Sequence, residues 1–213
     1  MALKCLVFDC DGVILDSVPV KTRAFARLVE PYGREAQERM VDYHVEHGGV
    51  SRFLKFDWFF HEVLGRDISP QERQDWGKKF EELALDEVRK CPLMPGVRET
   101  LQRWHGVLPM YVCSGAPAME VYAILEERGL AGFFEDIACS PPEKQVLLGR
   151  IIHDAHVPPG QTLMVGDAST DREAAKANGT LFYGIGEAMA STLYPWSVDL
   201  YPLNSWIERH LNS

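Results

Sequence analysis

Two short clusters of aspartates are the residues of this chain whose types and spacing could do chemistry. In the first, Asp9 and Asp11 directly follow the apolar run Lys4–Phe8, and Gly12 comes next. A charged side chain at the end of a buried strand is costly without a partner or a metal ion. Mg²⁺ prefers oxygen ligands and is held by one or two carboxylates, so the pattern predicts a magnesium site. The alternative is a solvated loop with acidic residues by chance.

The second acidic cluster follows another apolar run. Asp167 comes just after Thr162–Val165 and Gly166, in a position that mirrors that of Asp9, and we expect it at the same site. Asp171 falls in the first turn of the helix predicted to follow. It has two interpretations, because an acidic residue there also stabilises a helix by capping it or by opposing its dipole.

Ser114, Gly115 and Lys144 are weaker candidates, each following a predicted strand. The hydroxyl group of Ser114 and the backbone N–H groups near Gly115 could hold a phosphoryl oxygen. Taken alone, a Ser-Gly pair after a strand is a common turn, and Lys144 is a surface lysine. Their significance depends on the two aspartate clusters.

The elements that would position these residues alternate along most of the chain. Apolar runs predict strands at 4–8, 107–113, 136–139, 162–165 and 180–185, and helical patterns lie at 97–104, 118–128, 144–155 and 170–178. This alternation predicts right-handed βαβ units and an α/β, Rossmann-like parallel sheet. Because the carboxyl ends of parallel strands share one edge, Asp9, Ser114 and Asp167 are expected there, where ligands bind. The order of the strands does not follow from the pattern.

The stretch between the first two predicted strands breaks this alternation. Its helical patterns, with no convincing strand among them, lie at 21–29, 35–46, 51–64 and 70–90. The Pro- and Gly-containing segment from Cys91 to Gly96 is typical of a hinge back to the sheet. We expect a Rossmann-like catalytic core, residues 1–16 and 92–213, and a small α-helical cap domain, residues 17–91, inserted into it.

The bulk composition excludes several classes of protein. The 213 residues carry a net charge of −9, which argues against a nucleic-acid partner because phosphate backbones bind basic surfaces. No apolar run approaches the roughly 18 residues that span a bilayer, and the first residues do not resemble a signal peptide. We therefore expect a cytoplasmic protein with no membrane partner. The five cysteines show no spacing typical of zinc ligands.

Together these segments resemble the motifs of the haloacid dehalogenase superfamily, in the same order over almost the whole chain. The matching positions are Asp9-Cys10-Asp11-Gly12-Val13 for the first motif, Ser114 for the second, Lys144 for the third, and Gly166-Asp167 through Asp171 for the fourth. The third motif departs from the common Lys-Pro pattern, since Gln145 follows the lysine. The resemblance is to the phosphatase branch with a helical cap of the C1 type, which includes phosphoglycolate phosphatase-like and β-phosphoglucomutase-like members.

This resemblance implies a phosphoric monoester hydrolase that requires Mg²⁺ and forms a phospho-aspartate. Asp9 would be the nucleophile, and Asp11 the general acid and then the general base. The metal would be held by Asp9, the backbone carbonyl of Asp11, Asp167 and Asp171 (directly or through water), and the phosphoryl group by Ser114, Gly115 and Lys144. Members that break carbon–halogen or carbon–phosphorus bonds lack the second aspartate, so Asp11 implies a phosphate ester as substrate.

The predicted cap suggests the class of substrate. The segment His47-Gly48-Gly49-Val50-Ser51-Arg52 resembles a cap loop of the β-phosphoglucomutase family, where an arginine binds a phosphate remote from the reacting one. By this resemblance Arg52 would bind a distal anionic group of a small, sugar-phosphate-like metabolite. The other interpretation is a solvated arginine at the start of a helix, and in both cases Arg52 is expected to be exposed.

Two other functions stay open. A phosphosugar mutase of the β-phosphoglucomutase type is disfavoured by Lys21, because that family has a histidine at this position. A non-catalytic phosphate-sensing or receiver-like domain is disfavoured because receivers are phosphorylated on an internal strand and have no use for a helical lid. The sequence does not indicate an oligomeric state.

Overall fold

Six parallel strands form the sheet at the centre of the protein. In this computed structural model, which describes residues 2–211, the strands are β1 Cys5–Phe8, β2 Met110–Pro117, β3 Asp136–Ser140, β4 Thr162–Gly166, β5 Leu181–Ile185 and β6 Trp196–Ser197. Their order in the sheet is β3-β2-β1-β4-β5-β6, and each neighbouring pair is parallel. The predicted α/β class with a Rossmann-like parallel sheet is confirmed.

The helices lie between the strands and after the last one. They are α1 Val18–Val29, α2 Arg34–Glu46, α3 Arg52–Trp58, α4 Pro70–Lys90, α5 Val97–Trp104, α6 Ala118–Glu127, α7 Lys144–Ala155, α8 Ser169–Asn178 and α9 Tyr201–Leu211. Helices α4, α5 and α7 begin and end at the predicted residues. The predicted helix 51–64 is instead α3 followed by the π-helical turn Phe59–Val63.

Two strands differ from the prediction by more than one residue at an end, and one helix is additional. β2 begins at Met110, three residues later than predicted, and it continues through Ser114 to Pro117. The patterns above do not predict β6, because a strand of two residues is too short to show an alternation of polar and apolar residues. They also do not predict α9, although Pro202 near its start is a recognised helix-start signal.

The strand β1 shows how the core is divided by the sheet. All four of its residues are buried. Leu6 and Phe8 belong to one hydrophobic cluster, whereas Cys5 and Val7 belong to another. Because side chains of a strand alternate between its two faces, the two clusters lie on opposite faces of the sheet. A strand buried on both faces explains the continuous apolar run that precedes Asp9.

The helices α1 to α4, here called the helical segment (residues 18–90), lie between β1 and α5. Helix α4 begins with a capping box, in which Ser69 Oγ accepts a hydrogen bond from the Glu72 N–H at 3.2 Å and the Glu72 carboxylate accepts one from the Ser69 N–H at 3.0 Å. Aromatic rings fill the interior of the segment, with the Phe25 and Phe80 centroids 4.4 Å apart. The domain boundaries at residues 16/17 and 91/92 stay a prediction.

The carboxyl edge of the sheet opens into a crevice beside β1. This strand lies between β2 and β4, with Phe8 level with Val112 and Val165. The chain continues to one side of β1 through β2 and to the other side through β4, which is the arrangement that leaves a ligand-binding crevice at the strand ends. Asp9 follows Phe8, so it lies at this crevice.

Two expectations from composition concern the rest of the fold. None of the helices within residues 2–211 combines the length and the apolar composition that crossing a membrane requires. All five cysteines are buried and none forms a disulfide.

Candidate active site

A buried lysine joins two aspartates at the crevice. Nζ of Lys144, the first residue of α7, lies 2.8 Å from Oδ2 of Asp9 and 2.6 Å from Oδ1 of Asp171. The three side chains are at most 3% exposed. The structure therefore brings together a predicted nucleophile, a predicted phosphoryl ligand and a predicted metal ligand, although 27 residues separate Lys144 from Asp171.

Asp167 adds a third carboxylate beside this lysine. One carboxylate oxygen from each of Asp9, Asp167 and Asp171 lies within 4.8 Å of the other two. Gly12 makes room for this arrangement, because a Cβ at that position would lie 2.1 Å from Oδ2 of Asp167. The φ angle of Gly12, +81°, is also one that glycine adopts without strain. A set of carboxylate oxygens at this spacing fits a hard cation such as Mg²⁺.

The charges of these residues do not balance among themselves. Burial raises the pKa of Asp9 and, together with the neighbouring carboxylates, raises the pKa of Asp167 well above its ordinary value. Burial alone would lower the pKa of Lys144, but Asp171 and Asp9 raise it well above its ordinary value, so Lys144 is an ammonium ion. One ammonium group faces three carboxylates, and a divalent cation would relieve the remaining repulsion.

Asp171 serves the start of helix α8 as well as the site. Its Oδ2 accepts a hydrogen bond from the backbone N–H of Ala168 at 3.1 Å, while its Oδ1 accepts one from Lys144 at 2.6 Å. The capping interpretation of Asp171 is therefore confirmed, and the residue also belongs to the carboxylate group. Each carboxylate oxygen keeps a second lone pair, so Asp171 can contact a metal directly or through water.

The carboxylate of Asp11 does not belong to the group that the other three form. It accepts hydrogen bonds from Ser17 Oγ and from Lys21 Nζ, each at 2.5 Å. Burial alone would raise the pKa of Asp11, but the Lys21 ammonium group and these hydrogen bonds lower it below its ordinary value. The predicted contact of Asp11 with a metal concerns its backbone carbonyl, which is a different atom from the carboxylate that Lys21 binds.

Ser114 and Gly115 lie at the same edge, in β2. The Ser114 side chain is fully buried, and its Oγ accepts a hydrogen bond from the Ala116 N–H at 3.1 Å. The hydroxyl hydrogen of Ser114 therefore remains a donor for a ligand oxygen. Gly115 and Lys144 both line the cavity at the crevice.

The Gly48–Gly49 loop of the helical segment closes over this edge. Thr170 Oγ1 donates a hydrogen bond to the Gly48 carbonyl at 2.9 Å. A Cβ on Gly115 would lie 2.1 Å from the Gly49 carbonyl oxygen, and a Cβ on Gly49 would lie 2.1 Å from Thr170 Oγ1. The Gly48–Gly49 loop therefore packs directly against the carboxyl edge of the sheet.

This closure leaves a cavity of about 370 Å³ between the helical segment and the crevice. Asp9 and Asp11 line it from the sheet, and Lys21, His44, Arg52 and Lys55 line it from the helices. A volume of this size suits a small metabolite.

Arg52 is buried, which corrects the expectation that it is exposed. Its side chain is only 7% exposed and forms an ion pair with Glu120, in α6. The guanidinium carbon also lies 4.7 Å from the centroid of the Phe80 ring. The expectation was wrong because an arginine at a helix start is usually solvated, whereas the Arg52 side chain here packs between Phe80 of α4 and Glu120 of α6. Arg52 nevertheless lines the cavity, so its role on a distal anionic group stays a prediction.

Sequence reasoning missed several residues of this site. It used Lys21 only as a departure from the mutase pattern, and it did not single out His44, Lys55 or Thr170. The available signal for Lys55 was its place one turn after Arg52 on an otherwise apolar face of α3, beside the buried Phe56. Thr170 offered no signal, because its partner Gly48 is 122 residues away.

Comparison with known proteins agrees with this geometry. The sequence model of the haloacid dehalogenase-like hydrolases matches residues 3–179. A phosphoglycolate phosphatase from Vibrio parahaemolyticus is 30% identical over 194 residues, which cover 86% of this chain and 83% of that protein.

Solved structures share the fold. A β-phosphoglucomutase from Clostridium difficile matches with a TM-score of 0.80 at 17% identity, over 99% of this chain and 97% of that one. A predicted phosphoglycolate phosphatase from Haemophilus somnus matches with a TM-score of 0.73 at 18% identity, over 96% and 97% of the two chains. With the family match over most of its length, the chain belongs to the haloacid dehalogenase-like hydrolases, in their phosphatase branch.

Proposed function

We propose that this protein is an Mg²⁺-dependent hydrolase of a small phosphate monoester that forms a phospho-aspartate on Asp9. The observation that carries the proposal is the group of three carboxylates around Lys144 at the crevice of the sheet. Asp9 and Asp167, with the backbone carbonyl of Asp11 and a direct or water-mediated contact to Asp171, would hold the metal. When bound, Mg²⁺ would neutralise charge on the phosphoryl oxygens and on the carboxylates.

In the first step a carboxylate oxygen of Asp9 forms a bond to phosphorus as the bond from phosphorus to the ester oxygen breaks. The leaving oxygen takes a proton from Asp11. Asp11 is ionised in the structure, beside Lys21. A bound phosphate ester brings negative charge next to Asp11, which raises its pKa and favours the protonated form that this step requires.

In the second step water attacks the phosphorus of phospho-Asp9. Asp11 takes the proton of that water, and the bond between phosphorus and Asp9 breaks to release phosphate. Ser114 and Lys144 donate hydrogen bonds to the phosphoryl oxygens in both steps, and the Gly115 N–H lies at the same edge. Lys144 stays charged throughout, because the carboxylates of Asp171 and Asp9 hold its pKa high.

We propose 2-phosphoglycolate, or an ester of similar size and charge, as the substrate. The support is the name of the relatives, such as the phosphoglycolate phosphatase from Vibrio parahaemolyticus, together with the small volume of the cavity. In this proposal the helical segment is a cap that opens to admit the ester and closes through the Gly48–Gly49 loop. Cap closure would exclude bulk water from the nucleophile.

A phosphosugar mutase is the alternative within the same fold. Its support is the structural similarity to β-phosphoglucomutase, which at 17% identity concerns the fold. Lys21 disfavours it, because the mutase family has a histidine at this position. In this protein Lys21 forms an ion pair with Asp11 instead. Conversion of β-glucose 1-phosphate to glucose 6-phosphate would indicate the mutase, and phosphate release would indicate the phosphatase.

The test of the proposal is phosphate release from 2-phosphoglycolate and p-nitrophenyl phosphate by the purified protein. We expect turnover with Mg²⁺, loss after chelation and recovery on adding the metal back. Asp9→Asn should form no phospho-enzyme, and Asp11→Asn should lose a factor of about 10²–10⁴ in turnover. Full activity after chelation, or near wild-type turnover by Asp9→Asn, would overturn the proposal. Phosphorylation without turnover would favour a receiver-like domain.

A further inference from the structure

One buried cation at the cavity has no carboxylate partner. Lys55, in α3, is 2% exposed and lines the cavity. Three other cations of the cavity are paired, Lys21 with Asp11, Arg52 with Glu120 and Lys144 with Asp9. No carboxylate of residues 2–211 lies within 4.0 Å of Lys55. Arg172 also lines the cavity without such a pair, but it is partly exposed and water can solvate it.

Within residues 2–211, the only hydrogen-bond partner of the Lys55 side chain is a histidine. Lys55 Nζ lies 2.7 Å from Nδ1 of His44 and 3.4 Å from the His44 carbonyl oxygen. His44 is 7% exposed, and among the described residues its Nε2 has no hydrogen-bond partner. An ammonium group has three N–H donors, so Lys55 keeps donating capacity beyond these contacts. Both side chains line the cavity with polar groups that the protein itself does not satisfy.

The surroundings of this pair are apolar and cationic. Lys55 Nζ lies 5.5 Å from the centroid of the Phe25 ring, which also packs against His44 at 4.6 Å between centroids. Burial, with the Lys21 ammonium group as a further cause, lowers the pKa of Lys55 to about 7. Burial and Lys55 lower the pKa of His44 to about 3, so His44 is neutral and accepts from Lys55 through Nδ1. An anionic ligand group beside Lys55 would favour the charged form of the lysine.

We propose that Lys55, oriented by His44, binds the carboxylate of the substrate, which is a small ester of phosphate with a hydroxy acid. This inference deepens the proposed function and rests on it. The single positive charge of Lys55 balances the single negative charge of a carboxylate. A second phosphate group, with two negative charges, would keep one of them unbalanced beside this buried lysine. The neutral Nε2 of His44 is left for a polar atom of the same ligand.

The test uses two esters that differ in this group alone. 2-Phosphoglycolate and ethyl phosphate have the same two-carbon length, but the second carries a methyl group in place of the carboxylate. We expect the wild type to prefer 2-phosphoglycolate. In Lys55→Met, kcat/KM for 2-phosphoglycolate should fall roughly 10- to 100-fold, mainly through KM, because a charge-assisted contact is lost. The kcat/KM for ethyl phosphate should change by less than about threefold.

Two further variants separate this role from a structural one. Lys79→Met removes an exposed lysine of α4 and should change neither ester. His44→Phe keeps the ring packing on Phe25, removes the acceptor for Lys55 and should reduce the preference for 2-phosphoglycolate. Equal losses on both esters in Lys55→Met, or equal use of both esters by the wild type, would overturn the carboxylate site and leave the phosphatase proposal standing. Hydrolysis of neither ester would overturn both.

Discussion

The Gly48–Gly49 loop packs closely against the carboxyl edge of the sheet, and a single methyl group added at Gly115 would disrupt this packing. Gly115 lies in β2 beside Ser114 and faces the Gly49 carbonyl group. Gly115→Ala retains every charged group of the site and the backbone N–H that a phosphoryl oxygen would need. The variant therefore tests whether the close packing of this loop matters for catalysis.

The size of the effect follows from one distance. The added Cβ would lie 2.1 Å from the Gly49 carbonyl oxygen, whereas such contacts are essentially never shorter than 3.0 Å. The loop or β2 must therefore move by about 0.9 Å, and a misplacement of about 1 Å can cost roughly 10²-fold in rate. We expect kcat/KM to fall by about 10²-fold, which corresponds to about 2.7 kcal/mol of lost transition-state stabilisation. The free energy of unfolding should also fall, by about 1–3 kcal/mol, because the atom that the added Cβ meets belongs to the backbone.

The assay is the steady-state hydrolysis of 2-phosphoglycolate, with thermal unfolding measured in parallel. Gly132→Ala is the matched control, since a Cβ there meets no atom within 4 Å and its φ is not positive. Gly48→Ala should fall between the two, because its Cβ would stop 3.0 Å from Cβ of Ala168. If Gly115→Ala kept kcat/KM within about threefold of Gly132→Ala, the loop would not need this position for catalysis, and the reasoning would be refuted.

Three further outcomes follow from buried charges. Lys144→Met should lower the free energy of unfolding in EDTA by about 3–5 kcal/mol, with part of the loss recovered in Mg²⁺; equal urea midpoints in EDTA would contradict this. Arg52→Ala should lower it by about 2 kcal/mol because Glu120 loses its partner, and more than the exposed Arg66→Ala does, as urea titrations can show. Burial lowers the pKa of Lys55 from 10.5 to about 7, so between these pH values the unfolded chain binds a proton that the folded protein does not. Between pH 7 and 10.5 the free energy of unfolding of the wild type should therefore rise with pH relative to that of Lys55→Met, by at most about 1.4 kcal/mol per pH unit. Parallel pH profiles of the two proteins would exclude a lowered pKa of Lys55.

The positions of the central aspartates could be predicted because they depend on the local sequence. Asp9 and Asp167 each follow an apolar run long enough to identify a buried strand. Once strands and helices alternate, the sheet is parallel and the strand ends share one edge, so residues far apart in sequence can be placed together. Gly12 directly follows Asp11 in the sequence, but only the structure shows that its missing side chain leaves the space that Asp167 occupies.

Contacts between helices and strands that are far apart in the sequence could not be predicted in this way. The pairing of Lys21 with Asp11, the burial of Arg52 against Glu120 and the isolation of Lys55 beside His44 depend on how α1 to α4 pack over the crevice. Periodicity shows which face of a helix is apolar, but not which helix or strand that face meets. A lysine with a carboxylate at its side and a lysine without one have the same local sequence signal.

The sequence by itself determined which residues could do chemistry, because the two aspartate clusters and the strands before them consist of neighbouring residues. The tertiary structure alone decided what surrounds that chemistry, namely the closed loop over Gly115, the cavity of about 370 Å³ and the unpaired ammonium group in its wall. The physical reason is that a buried strand and the carboxylates at its end are encoded by residues that are neighbours in the sequence. The partner of each cavity residue depends instead on packing between elements that lie up to 122 residues apart, as Gly48 and Thr170 do.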